Sequence, residues 1–407
     1  MSLKVVGLGL AGIFAVSIGV LSIWLGPLVT VLGVGRVVEK LGDAHCDTLP
    51  ELQACEKMVL HRPSGMLYMS CSTPISRTKW CPTVDNLDTP KPPTDPDGFA
   101  IVDTSQPLSS ASFKRVTLKG LPIDDPTWRG LNLVGLDVVE SSIEPNVLWV
   151  YVINHRPPLP PKTPKTDGAD SCVEIFRTTV GSDEFIHVRT VEDAEHIVTP
   201  NDVVGQPDGS GFWVSNDHIA RVGSARTMEL LTGREGLGIT YCTVVGNCKF
   251  AITGIPSLNG IVRAPPSKLS MNQELFYGAG HATNAKLFVM ERQSDNSLVL
   301  SDTVNMDHAM DNLSIDEQGS VYVATFPKLY HWRTGYTKAP ETYLNPSSVH
   351  KISIDPGAYF GDKYKVEKIF ETNGTLISGA TSAVWDSKKK TLWIHGVASK
   401  NLVACKL

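Results

Sequence analysis

Met310-Asp311-Asn312-Leu313-Ser314-Ile315-Asp316-Glu317-Gln318-Gly319-Ser320-Val321-Tyr322-Val323 reads as turn, strand, turn, strand. Asp311 and Asn312 place two side-chain oxygens at the mouth of the first strand, before the apolar alternation begins. Asp316 to Gly319 is turn chemistry, because Asp bonds its own following backbone and Gly accepts left-handed dihedrals. Val321-Tyr322-Val323 is β-branched and aromatic, which suits a pleated surface. An Asx turn capping a strand accounts for Asp311-Asn312 taken alone. Paired hard oxygens on a rigid strand end also suit a calcium ion, and the rest of the chain has to decide.

The second half of this unit recurs. Met66-Leu67-Tyr68-Met69, Val147-Leu148-Trp149-Val150, Gly211-Phe212-Trp213-Val214, Glu274-Leu275-Phe276-Tyr277, Ser320-Val321-Tyr322-Val323 and Thr391-Leu392-Trp393-Ile394 are six apolar runs with an aromatic near the start, 46 to 81 residues apart. Turn residues precede most of them, as in Pro63-Ser64-Gly65, Glu144-Pro145-Asn146 and Pro207-Asp208-Gly209. Further strand-like runs lie between copies, and long helical periodicity is absent. With 34 Gly and 27 Pro, the composition is that of a turn-rich β protein. Six units of several short strands predict an all-β, six-bladed β-propeller over residues 41–407. A large sandwich or two β domains would leave the sixfold recurrence unexplained. A Cys46–Cys405 bridge would tie the first strand to the last and close the ring.

Residues 1–40 form the other predicted unit. Val5 to Val34 is almost wholly apolar and longer than the roughly 20 residues that cross a bilayer core as a helix. No A-x-A cleavage site follows, so the reading is an uncleaved membrane-anchor helix. Lys4, Arg36, Glu39 and Lys40 leave its orientation open. Net charge is −5 with no basic block, which argues against nucleic acid as a partner. The eight cysteines contain no C-x-x-C pair, so zinc is not indicated, and an even count behind a secretory segment favours disulfides in a lumen or outside the cell. Cys242 and Cys248 flank a short turn; the pairing of Cys55, Cys71, Cys81 and Cys172 stays open. Asn373-Gly374-Thr375 is a glycosylation sequon. The Pro-rich stretches Cys81 to Gly98 and Arg156 to Lys165 read as solvent-facing loops.

In a propeller the innermost strands end around a central channel, so ligands converge from distant blades. Oxygen-bearing residues at strand starts are Glu56, Asn201 with Asp202, Asn259, and Asp311 with Asn312. Calcium takes 6–8 oxygens, and this set leaves room for water and substrate.

At Asn201-Asp202-Val203-Val204, Asn216-Asp217-His218, Asn259-Gly260-Ile261, Asp311 to Asp316 and Glu371 to Thr375 the chain resembles the serum paraoxonase/arylesterase family of six-bladed, calcium-dependent lactonases and esterases. The resemblance runs through most of the chain after residue 45. It implies a catalytic calcium held by Glu56, Asn201, Asn259, Asp311 and Asn312, a disulfide joining the chain ends and a retained hydrophobic N-terminus. The family uses a His pair beside the metal to activate water. His155 matches the outer member, but Val134 stands where the inner one belongs, and Val cannot accept a proton. His218 is the other candidate near the channel. Lys57 stands where the family has an acidic residue that shares a second, structural calcium with the partner matching Asp202, so the Lys57 ammonium is expected to replace that ion. The leading expectation is calcium-dependent hydrolysis of small-molecule esters or lactones, with phosphotriesters as side substrates. The alternative, favoured by Val134, is a non-catalytic calcium-binding propeller that holds a small ligand or protein. A lyase or synthase on a similar propeller would lack the five-oxygen set.

Overall fold

Short runs of Val, Ile, Leu and aromatics bounded by Gly, Asp and Asn turns extend and pair, because side chains at a period of two can all reach a packed face. The computed structural model describes residues 25–88, 97–264, 266–267, 273–281, 285–355 and 363–407. Its main sheets are six, five of four strands and one of five. The innermost strands are Cys55–His61, Leu133–Glu140, Pro200–Gly205, Leu258–Ala264, Ala309–Ile315 and Ser382–Asp386, in blades 1 to 6. Each touches the next, and the sixth touches the first, so they close a ring.

All six recurring aromatic runs fall on the second strand of a blade: Met66–Cys71, Val147–Arg156, Gly211–Asn216, Leu275–Gly280, Val321–Phe326 and Thr391–His395. A second strand is covered on both faces by neighbouring blades, which is why it carries large apolar side chains. Trp213 of blade 3 packs on Phe276 of blade 4 with ring centroids 4.9 Å apart. The core is accordingly not one ball but six layers, one between each pair of adjacent blades. Fully burying one such side chain is worth about 1.5–3 kcal/mol. The turn read at Asp316 to Gly319 is present: Asp316 Oδ1 accepts from the Gln318 and Ser320 amides, and Gly319 has φ +81°.

Blade 6 is built from both chain ends. Cys46–Leu49 pairs antiparallel with Leu402–Lys406 in the register Cys46 to Cys405, and that pair is disulfide-bonded as expected. Cys242–Cys248 also forms, and Cys55 pairs with Cys71 across the first two strands of blade 1. Cys81 and Cys172 are free and buried.

Residues 25–32 are helical, and Val31 packs on Phe326 and Trp332 over blade 5. The rest of the apolar N-terminal stretch lies outside the described residues, and no described helix is long and apolar enough to cross a membrane. Residues 89–96 of the first Pro-rich stretch lie outside them too.

Candidate metal centre and chamber

Five of the six inner strands carry one extra residue at their start. Against the second strand, pairing jumps from Cys55 to Lys57, Leu133 to Leu136, Pro200 to Val203, Leu258 to Ile261 and Met310 to Leu313. Only blade 6 pairs without a shift there. A bulge re-aims the side chains it contains. The bulged residues are Glu56, Val134, Asn201 with Asp202, Asn259, and Asp311 with Asn312. Small residues make room for this. A Cβ on Gly260 would fall 2.6 Å from Asn312 Cα, and one on Gly135 would fall 2.6 Å from Asp202 Cα.

The bulges bring Glu56, Asn201, Asn259 and Asp311 to one chamber at the head of the channel. Asn312 joins them by donating from Nδ2 to Glu56 Oε1 at 2.6 Å. Its backbone N–H reaches Thr381 O, and Thr381 Oγ1 donates to Glu56 O, so blade 6 braces the pair without supplying a ligand. All five side chains are buried. Glu56 Oε2, Asn201 Oδ1, Asn259 Oδ1 and Asn312 Oδ1 are buried with no hydrogen-bond partner among the described residues. Burial lifts the Glu56 carboxyl to about 7 against the opposing hydrogen bond from Asn312. Burial and then the Glu56 charge push Asp311 well above the usual carboxylate range. Orphaned carbonyl and carboxylate oxygens from four blades, with two uncompensated acids among them, fit a hard divalent cation and no softer one.

Lys57 lies just below. Its Nζ donates to Asp202 Oδ2 at 2.6 Å and to Leu313 O at 3.0 Å, and both side chains are buried. Asp202 also accepts from the Ile261 and Val203 amides. The channel below this pair is lined mainly by Val, Leu and Ile from the inner strands, with Arg62, Asp137 and Arg263 among them.

Two histidines line the chamber. His218 Nδ1 lies 2.9 Å from Asp217 Oδ1, close enough for an ion pair but not aligned as a hydrogen bond, and its Nε2 has no partner among the described residues. Asp217 is held in turn by Arg226, at 2.9 Å. Burial opposes the Asp217 charge, but Arg226 and His218 outweigh it and hold the carboxyl well below its usual range. His281 Nδ1 lies 3.1 Å from Met310 O. A carbonyl only accepts, so Nδ1 carries the proton and Nε2 presents its lone pair. Burial lowers His281 to about 4, so it is neutral at pH 7.

A family model described as Arylesterase matches residues 107–407. The chain belongs to the arylesterase family. It is 22% identical to serum paraoxonase/arylesterase 2 of Homo sapiens over 393 residues, covering 95% of each chain. It is 23% identical to human serum paraoxonase/arylesterase 1 over 310 residues, covering 71% of this chain and 78% of that protein. Among solved structures, a gluconolactonase from Xanthomonas campestris superposes with a TM-score of 0.45 at 11% identity, covering 90% of this chain and 91% of that one.

Within this family member, His155 sits apart from the chamber. It lines a smaller adjoining cavity with Pro200 and Asp217, and its Nδ1 is 2.8 Å from Ser171 Oγ. Burial lowers it to about 3, so it is neutral. Val134 turns into the apolar layer between blades 2 and 3, with Ile153 and Val203. His281, Trp332 and Arg333 also line the chamber and were not legible as site residues. A signal for His281 existed: an antiparallel second strand ends where the first begins, so the residue after Leu275–Gly280 falls at the same mouth as Asp217-His218 after Gly211–Asn216. Asp307, His308 and His350 gather within 4.8 Å on blade 5, outside the chamber, with His308 Nδ1 against Asp307 Oδ1.

Proposed function

We propose that this arylesterase-family chain is a calcium-dependent hydrolase of carboxylic esters or lactones, with phosphotriesters as side substrates. The observation that carries the reading is the set of orphaned oxygens of Glu56, Asn201, Asn259 and Asn312, gathered with Asp311 beside His218 and His281. When bound there, calcium polarises the substrate's carbonyl or phosphoryl oxygen and stabilises the charge that develops on it. His218 acts as the general base: the Asp217 carboxylate 2.9 Å from Nδ1 favours the proton on that nitrogen, which leaves the Nε2 lone pair to take a proton from water. Arg226 keeps Asp217 ionised so that it can do so. His281, neutral and with its proton on Nδ1, flanks the same space and orients the water through Nε2. His155 supports the wall behind Asp217.

The N-terminal apolar stretch anchors the chain in a membrane, and the propeller faces a lumen or the exterior. Three formed disulfides and an exposed Asn373 support that side. The second reading is a calcium-binding propeller without catalysis, favoured by the burial of Val134 in an apolar layer.

The test is to assay the purified chain on aryl esters and lactones of several chain lengths, with calcium and with chelator. Chelation and Asp311→Ala should abolish turnover. His218→Gln should lower kcat by about 10²–10⁴ while calcium stays bound. Turnover that survives chelation and Asp311→Ala refutes the metal's role. Bound calcium without turnover of any substrate establishes the second reading.

A further inference from the structure

Between the second and third strands of blade 5, Val321–Phe326 and Ser347–Ile354, the chain makes a long excursion over the chamber. Part of it, Trp332–Tyr336, is π-helical. Wide turns of this kind are rare and concentrate at functional sites. The excursion is held firmly. Tyr336 is fully buried and donates from its hydroxyl to Ser378 O at 2.7 Å. Asn86 Nδ2 donates to Thr337 O, and Lys338 Nζ reaches Asn86 Oδ1 at 2.6 Å. What this brace presents to the chamber is Trp332 and Arg333.

The charges around the chamber are otherwise matched. Glu56 and Asp311 balance one divalent cation. Asp202 is matched by Lys57. Asp217 is matched by Arg226, which also lies 3.7 Å from Asp85. Arg333 is the exception. Its guanidinium is partly buried, donates no hydrogen bond and forms no ion pair among the described residues; Asp85 and Asp217, both already engaged by Arg226, act on it only from beyond ion-pair distance. Trp332 beside it is buried, and its indole N–H likewise has no acceptor among them. Five fixed N–H donors in a planar fork match a carboxylate or phosphate oxygen pair. A partly buried guanidinium whose counter-charges stand off, with none bonded to its N–H groups, gains from an anion delivered to it.

We propose that Arg333, with Trp332, forms an anion subsite that selects substrates bearing a negatively charged group, a carboxylate or a phosphate, beyond the reacting carbonyl. This rests on the hydrolase reading and narrows its substrate class. Recognition takes place at the rim, away from the oxygens that hold the ion, so the substrate is clamped at two points, its reacting carbonyl and its charged tail. Removing the guanidinium acts on the binding of charged substrates in particular, since only they lose an ionic partner.

The experiment compares matched probes on the full, calcium-loaded chain: monophenyl glutarate, with its free carboxylate, against neutral phenyl pentanoate. The expected KM is at least about 10-fold lower for the anionic ester, a ratio that shrinks with added salt. In Arg333→Gln the ratio falls to about 1–3, and Arg333→Lys restores part of it. Equal KM values in the wild type, or a ratio that survives Arg333→Gln, overturns the proposal. Calorimetric binding of glutarate itself separates this from failure of the hydrolase reading. Glutarate binding that weakens at least about 10-fold in Arg333→Gln supports the subsite even if neither ester is turned over. Binding that is absent, or equal in both proteins, overturns it.

Discussion

Lys57→Met removes the cation from the centre of the ring and leaves Asp202 behind. Lys57 Nζ and Asp202 Oδ2 are 2.6 Å apart, with side-chain exposures of 4% and 0%. Breaking a buried pair by deleting one partner costs about 3–5 kcal/mol, because the remaining charge has neither water nor a counter-ion. Leu313 O also loses a donor, but it is a neutral acceptor and adds about 1 kcal/mol or less. The expected loss at pH 7 is therefore about 3–5 kcal/mol, read from guanidinium unfolding with calcium held constant. The loss depends on pH in a defined direction. Burial already raises Asp202 above its ordinary 3.8, and Lys57 is the largest influence pulling it back down. Without Lys57 the folded state keeps a proton that the unfolded chain releases above about pH 4. Stability of the variant therefore falls as pH climbs from about 4 towards 7, and its deficit relative to the wild type narrows as pH drops. Lys57→Met with Asp202→Leu should recover much of the loss, since no charge is then stranded. A deficit under about 1 kcal/mol at pH 7, or one that does not change with pH, would refute the reasoning.

Gly260→Ala should cost about 1–3 kcal/mol and weaken calcium binding at least tenfold by calorimetry, because the new Cβ meets main-chain atoms of Asp311 and Asn312 that cannot swing aside. Asp217→Asn should cost about 1–3 kcal/mol at pH 7 by taking from buried Arg226 its closer carboxylate and leaving it Asp85 alone at 3.7 Å. The depressed Asp217 carboxyl contributes fully above its ordinary 3.8 and loses that contribution only as pH falls through its much lower folded-state value, so the gap between wild-type and variant should begin to narrow below about pH 4 and persist at pH 3. Opening the Cys46–Cys405 bridge by changing both residues to Ser should cost about 2–5 kcal/mol, with hydrogen exchange accelerating first in Cys46–Leu49 and Leu402–Lys406.

Much of the candidate metal centre was legible before any coordinates. Glu56, Asn201, Asn259 and Asp311 each open a strand with an oxygen, and that is a local feature. The pairing of Lys57 with Asp202 was legible too, as an expectation from the family resemblance, and the two are 2.6 Å apart. The general base was harder to see. His155 looked the better candidate by position in the chain, yet it belongs to the next cavity, because Ser171 holds its ring there. His281 and Arg333 carry no pattern of their own. One is a single residue past a strand end, and the other sits in a π-helical turn that no periodicity announces.

The sequence by itself determined the blade count and the closing pair. Aromatic runs must repeat wherever a strand is buried on both faces, and a ring made of open sheets needs its two ends joined. Only the tertiary structure decided which oxygens go unsatisfied and which histidine reaches them. The histidines follow from where the second strands end. The oxygens follow from a one-residue bulge in five inner strands, and a bulge is a mismatch between two strands rather than a property of either. The side chains it turns inward meet across the ring, where contact depends on distances between blades and not on spacing along the chain.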